Sequence, residues 1–142
     1  MQTNYDALKI ENQLCFPLYA CSREVIKLYK PHLDVIGLTY TQYITMMVLW
    51  EHKSVTVKKL GDKLYLDSGT LTPLLKKLES KGLVTRQRSE RDERNLIVTI
   101  TEAGEALKDQ AVDIPYQIVK NCNLTREETD TLYQLLYKLL EK

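Results

Sequence analysis

Residues 64–101 read LYLDSGTLTPLLKKLESKGLVTRQRSERDERNLIVTIT and contain the clearest signals of secondary structure in the sequence. Asp67 and Ser68 are residue types that cap the start of a helix, and Gly82 is typical of a helix end. Between them four leucines recur at helical spacing, which predicts a short helix with one buried face. The predicted buried residues are Leu71, Leu74, Leu75 and Leu78.

The opposite face of this helix is small and polar near its start and cationic further along. Short hydroxyl side chains can approach base edges in a DNA major groove, and lysines can reach phosphates. A merely solvated helix face has a similar composition, so this helix alone leaves both interpretations open. The candidate DNA contacts on it are Ser68, Thr70, Thr72, Lys76 and Lys77.

Residues 83–101 predict a two-stranded hairpin. Leu96, Val98 and Ile100 alternate along its second half, and a polar tip covers residues 89–95. Upstream, residues 56–66 carry apolar side chains at helical spacing, which predicts another short helix. A helix pair followed by an arginine-bearing hairpin is typical of a winged helix-turn-helix, whose wing presents arginine to the minor groove. The arginines of the hairpin are Arg86, Arg88, Arg91 and Arg94.

Two further helices are predicted before this region. One begins after Thr39, and a longer one runs from about Lys9 to Lys30 and stops before Pro31. Pro17 allows two forms of the longer helix, because proline cannot donate a backbone hydrogen bond. Either the helix bends there, or its regular part begins near Phe16 and leaves Cys15 at the helix start.

After the hairpin, residues 101–121 and 124–142 each have a helical period, which predicts a fifth and a sixth helix. The last one is too rich in leucine for a lone surface helix, so we expect a homodimer formed by the first, fifth and sixth helices. The predicted fold is mainly α with a small β-hairpin wing, in a single domain of 142 residues. About 53–101 is the DNA-binding part, and about 1–38 and 102–142 are dimerisation helices.

The charge distribution agrees with a polyanionic partner. Residues 53–94 contain eleven Lys or Arg against six Asp or Glu, a local charge of +5, whereas the whole chain carries +1. The remaining residues therefore carry a net charge of −4. A basic middle between acidic ends would let the centre face DNA, although a solvated face gives similar counts.

The composition also argues against several classes of protein. Three cysteines without a pairing pattern predict reduced thiols, and the absence of a CxxC motif, with only His32 and His52 as histidines, predicts no metal site. No cofactor is expected. No apolar run is long enough for a membrane span, and the first residues lack the pattern of a signal peptide, so we expect a cytoplasmic protein without membrane contact.

The stretches LYLDSGTLTPLLKKLE and RSERDERNLIVTITEAG resemble the recognition helix and wing of the MarR family of winged-helix repressors. The DxR pair Asp92 and Arg94 is the most diagnostic element of that likeness. NQLCFPLY, the tyrosine of KLYKP, LTYTQY and LWEH further resemble the organic-hydroperoxide-sensing OhrR type and its staphylococcal-style redox regulators. The resemblance covers nearly the whole chain.

The resemblance implies a redox site. Cys15 matches the reactive cysteine, and Tyr29 and Tyr40 match two tyrosines of the partner subunit that donate hydrogen bonds to its thiolate. Thiolate rather than thiol attacks a peroxide, and phenols can stabilise it without adding charge. Members of the OhrR type use either a second cysteine near the C-terminal helices or a small external thiol, and this chain resembles the former through Cys122. Cys21 is expected to serve packing, because six residues along a helix separate it too far from Cys15 for a disulfide.

The predicted function is that of a homodimeric, non-enzymatic regulator, a repressor that leaves a roughly palindromic DNA operator when an organic hydroperoxide oxidises Cys15. Two alternatives remain open from the residues. One is a MarR-type regulator that binds a small phenolic ligand and uses Cys15 structurally. The other is a thiol peroxidase that turns over at Cys15, although such an enzyme has no use for a wing.

Overall fold

The computed structural model describes residues 4–91 and 95–141. The chain divides into two compact units, one up to Val112 and one from Asp113 onward. Among these described residues, the first unit holds five helices and a small sheet, and the second holds two helices. The elements are α1 Cys15–Ile36, α2 Tyr40–His52, β1 Ser54–Thr56, α3 Val57–Leu64, α4 Ser68–Ser80, β2 Val84–Arg88, β3 Leu96–Ile100, α5 Glu102–Ala111, α6 Ile114–Lys120 and α7 Arg126–Leu140, preceded by 3-10 turns at Asp6–Leu8 and Ile10–Asn12.

Helix α1 begins at Cys15, which confirms the second of the two forms predicted from Pro17. Pro17 is the third residue of the helix. The N–H groups of a first helical turn have no intrahelical acceptor, so a proline there loses no hydrogen bond. Cys15 therefore stands at the helix start.

The predicted end of α1 before Pro31 was wrong, because the helix continues to Ile36. Proline inside a helix costs about 3 kcal/mol. The extra turns bury Leu33 and Ile36, and burying such side chains stabilises by roughly 1.5–3 kcal/mol each, which offsets that cost. Gly37 caps the end of the helix, and its φ of 70° is the left-handed conformation that glycine adopts without strain.

Helix α2 is the most deeply buried helix of the first unit. Its start is fixed by a capping box, in which the Thr39 hydroxyl accepts the Gln42 N–H and the Gln42 side chain accepts the Thr39 N–H. Its buried face includes Tyr43, Met46, Leu49 and Trp50.

Helices α3 and α4 form the helix-turn-helix. Asp67 caps α4 as predicted, accepting the Thr70 N–H at 2.7 Å. The four leucines of the predicted stripe are all buried, which confirms the buried face of α4. Tyr65 ends α3 in a left-handed conformation, with φ of 56°, and so makes the turn between the two helices tight. Gly61 allows the turn to pass close to α3, since an added Cβ at Gly61 would lie 2.7 Å from the Leu66 carbonyl oxygen.

The sheet has three antiparallel strands in the order β1-β3-β2, so the prediction of a two-stranded hairpin was incomplete. β2 and β3 form the predicted hairpin, with Val84 opposite Ile100. The additional strand β1 pairs Val55 with Val98, both buried. Three residues are too short for an alternating pattern to stand out in the sequence, which is why β1 was not predicted.

The single helix predicted over residues 101–121 is in fact two helices, α5 and α6. Pro115 explains the break, because its ring would clash with the carbonyl of Ala111, the last residue of α5. In the second unit α7 contains no buried residue. Within the part of the chain that the structure describes, no helix is long and apolar enough to cross a membrane.

Gly104 allows a test of how closely α5 packs against Leu83 and Ile100. An added Cβ would lie 2.4 Å from the Leu83 carbonyl oxygen and 2.7 Å from Ile100 Cγ1. We therefore expect Gly104→Ala to lower the free energy of unfolding by about 1–3 kcal/mol, as overpacking does. Urea unfolding at one fixed protein concentration measures this change in the free energy of unfolding.

Gly69→Ala in α4 is the matched control. Its added Cβ would meet only Asp67 Oδ1, at 3.5 Å, and alanine favours a helix over glycine by up to about 1 kcal/mol. The control is expected to be neutral or stabilising. A Gly104→Ala protein as stable as wild type would contradict the close approach of α5 to the sheet.

Candidate DNA-binding surface and redox site

The outward face of α4 presents the predicted DNA contacts together. Ser68, Thr70, Thr72, Lys76 and Lys77 are all exposed, on the side opposite the leucines. The Thr72 hydroxyl donates to the Ser68 carbonyl at 2.8 Å, which leaves its oxygen as an acceptor. The face thus begins with small polar side chains and ends with two cations.

Arg86 is held inside the protomer. Its Nη2 lies 3.1 Å from Glu79 Oε1, its backbone N–H donates to Glu79 Oε2 at 3.2 Å, and only 18% of its side chain is exposed. The Arg86 guanidinium holds the pKa of Glu79 below its usual range. This pair joins the last turn of α4 to β2, the first strand of the wing.

The tip of the wing closes through the Ser89 N–H, which donates to the Asn95 carbonyl at 2.7 Å. Arg88 and Arg91 are exposed on it. The predicted DxR pair, Asp92 and Arg94, lies outside the described residues.

An aromatic cluster joins α1 to α2. The ring centroids of Tyr29 and Tyr40 are 5.2 Å apart, and Tyr43 lies 5.8 Å from Tyr29 and 6.4 Å from Tyr40. Trp50 extends the cluster at 6.3 Å from Tyr43. The two tyrosines that the resemblance singled out are therefore neighbours. Tyr43 was not predicted from the sequence, although it stands one helical turn after Tyr40 and next to Gln42.

Burial disfavours the ionised form of two phenols in this cluster, those of Tyr40 and Tyr43. It raises the pKa of Tyr40, and it raises the pKa of Tyr43 to about 12, with smaller contributions from Tyr29 and Tyr40. A protonated phenol can donate a hydrogen bond at neutral pH. The cluster is therefore a source of uncharged donors.

The three cysteines are reduced and exposed in the protomer. Cys15 stands at the start of α1, and Cys122 follows α6, its N–H donating to the Val119 carbonyl at 3.1 Å. Cys21 is exposed as well, so the prediction that it packs was wrong for the protomer. No group of three or more potential metal ligands occurs among residues 4–91 and 95–141.

Large apolar side chains are exposed along two helices. Along α1 one helical stripe consists of Cys15, Leu18, Tyr19, Ser22, Ile26 and Tyr29. Leu18 and Tyr29 are half-buried, and the other four are exposed. In the second unit the large apolar side chains of α7 are exposed as well. The exposed large apolar residues of the two helices are Phe16, Tyr19, Val25, Ile26, Leu28 and Val35 in α1, and Leu132, Tyr133, Leu135, Tyr137, Leu139 and Leu140 in α7.

Comparison with known proteins assigns the family. Residues 27–111 match the family described as "Transcriptional regulator SarA/Rot". The chain is 53% identical to the organic hydroperoxide resistance transcriptional regulator of Bacillus subtilis over 141 residues, which covers 99% of this chain and 96% of the relative. The chain belongs to the OhrR type of the MarR family. It is thus a winged helix-turn-helix transcriptional regulator, as the sequence predicted.

Solved structures of MarR-family regulators have the same fold. Reduced AbfR of Staphylococcus epidermidis bound to DNA is 36% identical, with a TM-score of 0.78 over 95% of this chain and 94% of AbfR. Disulfide-formed AbfR is 37% identical, with a TM-score of 0.65 over 96% of each chain. The C80S mutant of MarR from E. coli, complexed with operator DNA, is 26% identical, with a TM-score of 0.80 over 99% and 100%.

The pH dependence of stability measures how Tyr43 packs in the aromatic cluster. Its phenol ionises near pH 10 in the unfolded chain and near 12 in the folded one, so the unfolded state loses its proton first. The stabilising contribution of the neutral phenol is complete below pH 10 and is lost as pH rises toward 12. Denaturant unfolding of wild type should show this loss of stability.

Tyr43→Phe keeps the ring and removes the ionising group. We expect its stability to fall less than that of wild type between pH 10 and 12. Equal losses in the two proteins would mean that the Tyr43 phenol is not buried against the cluster.

Proposed function

We propose that the chain is a homodimeric repressor that leaves its DNA operator when an organic hydroperoxide oxidises Cys15. The observation that carries the proposal is the contact between Tyr29 and Tyr40, which presents two neighbouring phenol donors in a chain of the OhrR type. The regulator acts in the cytoplasm, where thiols stay reduced until an oxidant arrives.

DNA binding is assigned to α4 and the wing. Ser68, Thr70 and Thr72 approach base edges in the major groove, and Lys76 and Lys77 bind phosphates. From the family resemblance, Asp92 and Arg94 act at the wing tip, where the carboxylate orients the guanidinium. Arg86 has the Glu79 carboxylate as a partner, so we assign it to holding the wing against α4 rather than to DNA.

A homodimer would cover the exposed apolar side chains of α1 and α7. Exposed apolar patches mark interaction sites, and α7 buries no side chain within the protomer. Two-fold symmetry would place two α4 helices in successive major grooves about 34 Å apart. The operator is therefore roughly palindromic.

The sensor in this proposal is shared between subunits. The Cys15 thiolate of one subunit accepts hydrogen bonds from Tyr29 and Tyr40 of the partner subunit. Its sulfur attacks one oxygen of the hydroperoxide, the O–O bond breaks, and the cysteine becomes a sulfenic acid. The other oxygen leaves as an alkoxide, which takes a proton from water to give an alcohol.

A cavity beside Tyr40 supports an organic oxidant. It measures about 260 Å³, lies between α1 and the start of α2, and is lined by Ile26, Leu33 and Leu38, with Lys27, Lys30 and Asp34 also on its wall. The apolar side chains of this cavity would receive the organic group of a hydroperoxide, which hydrogen peroxide lacks.

Cys122 is proposed to resolve the sulfenic acid. Its exposed thiol, in the loop between α6 and α7, would attack the sulfenic sulfur of the partner subunit and release water as the disulfide forms. The exposure of Cys122 and the disulfide form of AbfR support this step. A low-molecular-weight thiol is the alternative resolving partner.

Cysteine variants test the proposal. We expect Cys15→Ser to bind a DNA duplex from upstream of the protein's own gene as tightly as reduced wild type. It should not be released by cumene hydroperoxide, because serine offers no thiolate. Cys21→Ser changes another exposed cysteine of α1 and should still be released. A mobility-shift assay measures both, and release of Cys15→Ser by the oxidant would exclude Cys15 as the sensor.

The same oxidation, followed on non-reducing gels, tests the resolving residue. Wild type and Cys21→Ser should form a covalent dimer that dithiothreitol reverses, and Cys15→Ser and Cys122→Ser should not. A covalent dimer of Cys122→Ser would assign resolution to another thiol. Sustained peroxide consumption with a thiol reductant would instead support a peroxidase.

A further inference from the structure

The side chain of Lys81 connects the end of the recognition helix to the corner between α1 and α2. Lys81 follows the last residue of α4, and its Nζ donates to the Gly37 carbonyl and to Gln42 Oε1, the latter at 3.2 Å. A charged donor makes stronger hydrogen bonds than a neutral one. Lys81 and Gly37 are 44 residues apart in sequence. The contact joins the end of α4, which carries the proposed DNA contacts, to the corner that leads to the aromatic cluster.

Gln42 is the shared point of this connection. Its residue is only 3% exposed, and its Oε1 accepts both the Lys81 ammonium and the Thr39 N–H, at 3.2 and 3.0 Å. The Thr39 N–H belongs to the capping box that fixes the first turn of α2. Tyr40 is the first residue of that turn, so a displacement of Tyr40 acts directly on the acceptor of Lys81.

The other end of the connection is equally well fixed. One turn holds both Glu79, which binds Arg86 of the wing, and Lys81, which binds the α1–α2 corner. The DNA-facing side chains lie further toward the start of the same helix. An α-helix of 13 residues moves nearly as a rigid rod. A displacement of the last turn of α4 therefore changes the orientation of its first turns.

We propose that Lys81 is the positioning residue that couples the tyrosine cluster to the recognition helix. This rests on the proposed function, because oxidation of Cys15 would change its hydrogen bond with Tyr40 of the partner subunit and so displace that side chain. In the reduced protein Lys81 holds α4 in the orientation that fits the operator. When the first turn of α2 shifts, the two acceptors of Lys81 separate, and α4 leaves that orientation.

The test separates coupling from DNA contact by measuring operator affinity in both redox states. The readout is the ratio of the Kd of the oxidised protein to the Kd of the reduced one, from fluorescence anisotropy with a duplex from upstream of the protein's own gene. Lys81→Met keeps the length of the side chain and removes its donors. We expect this ratio to fall by about tenfold relative to wild type.

Two further variants serve as controls. Lys81→Arg retains a cationic donor and should keep most of the wild-type ratio. Lys77→Met removes a proposed phosphate contact and should raise both Kd values by a similar factor, so that the ratio stays unchanged. Mass spectrometry confirms that Cys15 is oxidised to the same extent in every sample.

A wild-type ratio in Lys81→Met would overturn the coupling proposal, and so would a fall of the ratio by the same factor in Lys77→Met. A ratio of one in wild type itself would overturn the proposed function, and the coupling with it. The two failures are therefore distinguishable.

Discussion

The burial of helix α2 constrains the rest of the first unit. Met46 and Leu49 are fully buried, and the Trp50 indole N–H donates to the Gly104 carbonyl at 2.9 Å, which fixes α2 against α5. The same helix carries Tyr40 at its start, where the capping box sets its direction. A change at the aromatic cluster cannot therefore be absorbed by α2 alone, because its far end is closely packed. Movement must pass to the elements that contact its first turn.

The protomer combines a well-packed DNA-binding part with uncovered apolar helices. The leucines of α4 are buried and its cap is formed, so the proposed reading face needs no partner to be shaped. By contrast, Cys15 is exposed, and most of the apolar face of α1 around it has no cover in the protomer. This division explains why a sensor built at the start of α1 would be completed by a second subunit. It also explains how one set of helices could serve both association and sensing.

Local patterns predicted the elements whose signals are strong. The Asp67 cap, the leucine stripe of α4 and the hairpin were confirmed, because each has a pattern of several residues with one physical cause. The errors arose where competing terms had to be weighed. Pro31 predicted a helix end, but the burial of Leu33 and Ile36 outweighs its cost, and β1 is too short to show a period.

The residues of the proposed redox site were predictable in part. Cys15, Tyr29 and Tyr40 came from family resemblance, and the structure brings the two tyrosines together. The ion pair of Arg86 with Glu79 and the reach of Lys81 to Gln42 could not be predicted, because they join residues whose proximity depends on the completed fold. A long cationic side chain in sequence gives no sign of which acceptor it meets.

Mixed dimers test whether one subunit supplies the thiol and the other supplies the phenols. One parent is Cys15→Ser, and the other is the double variant Tyr29→Phe, Tyr40→Phe. If the site is shared, the mixed dimer contains one complete site, and cumene hydroperoxide should release it from DNA although neither parent homodimer responds. A mixed dimer as unresponsive as its parents would contradict the shared site.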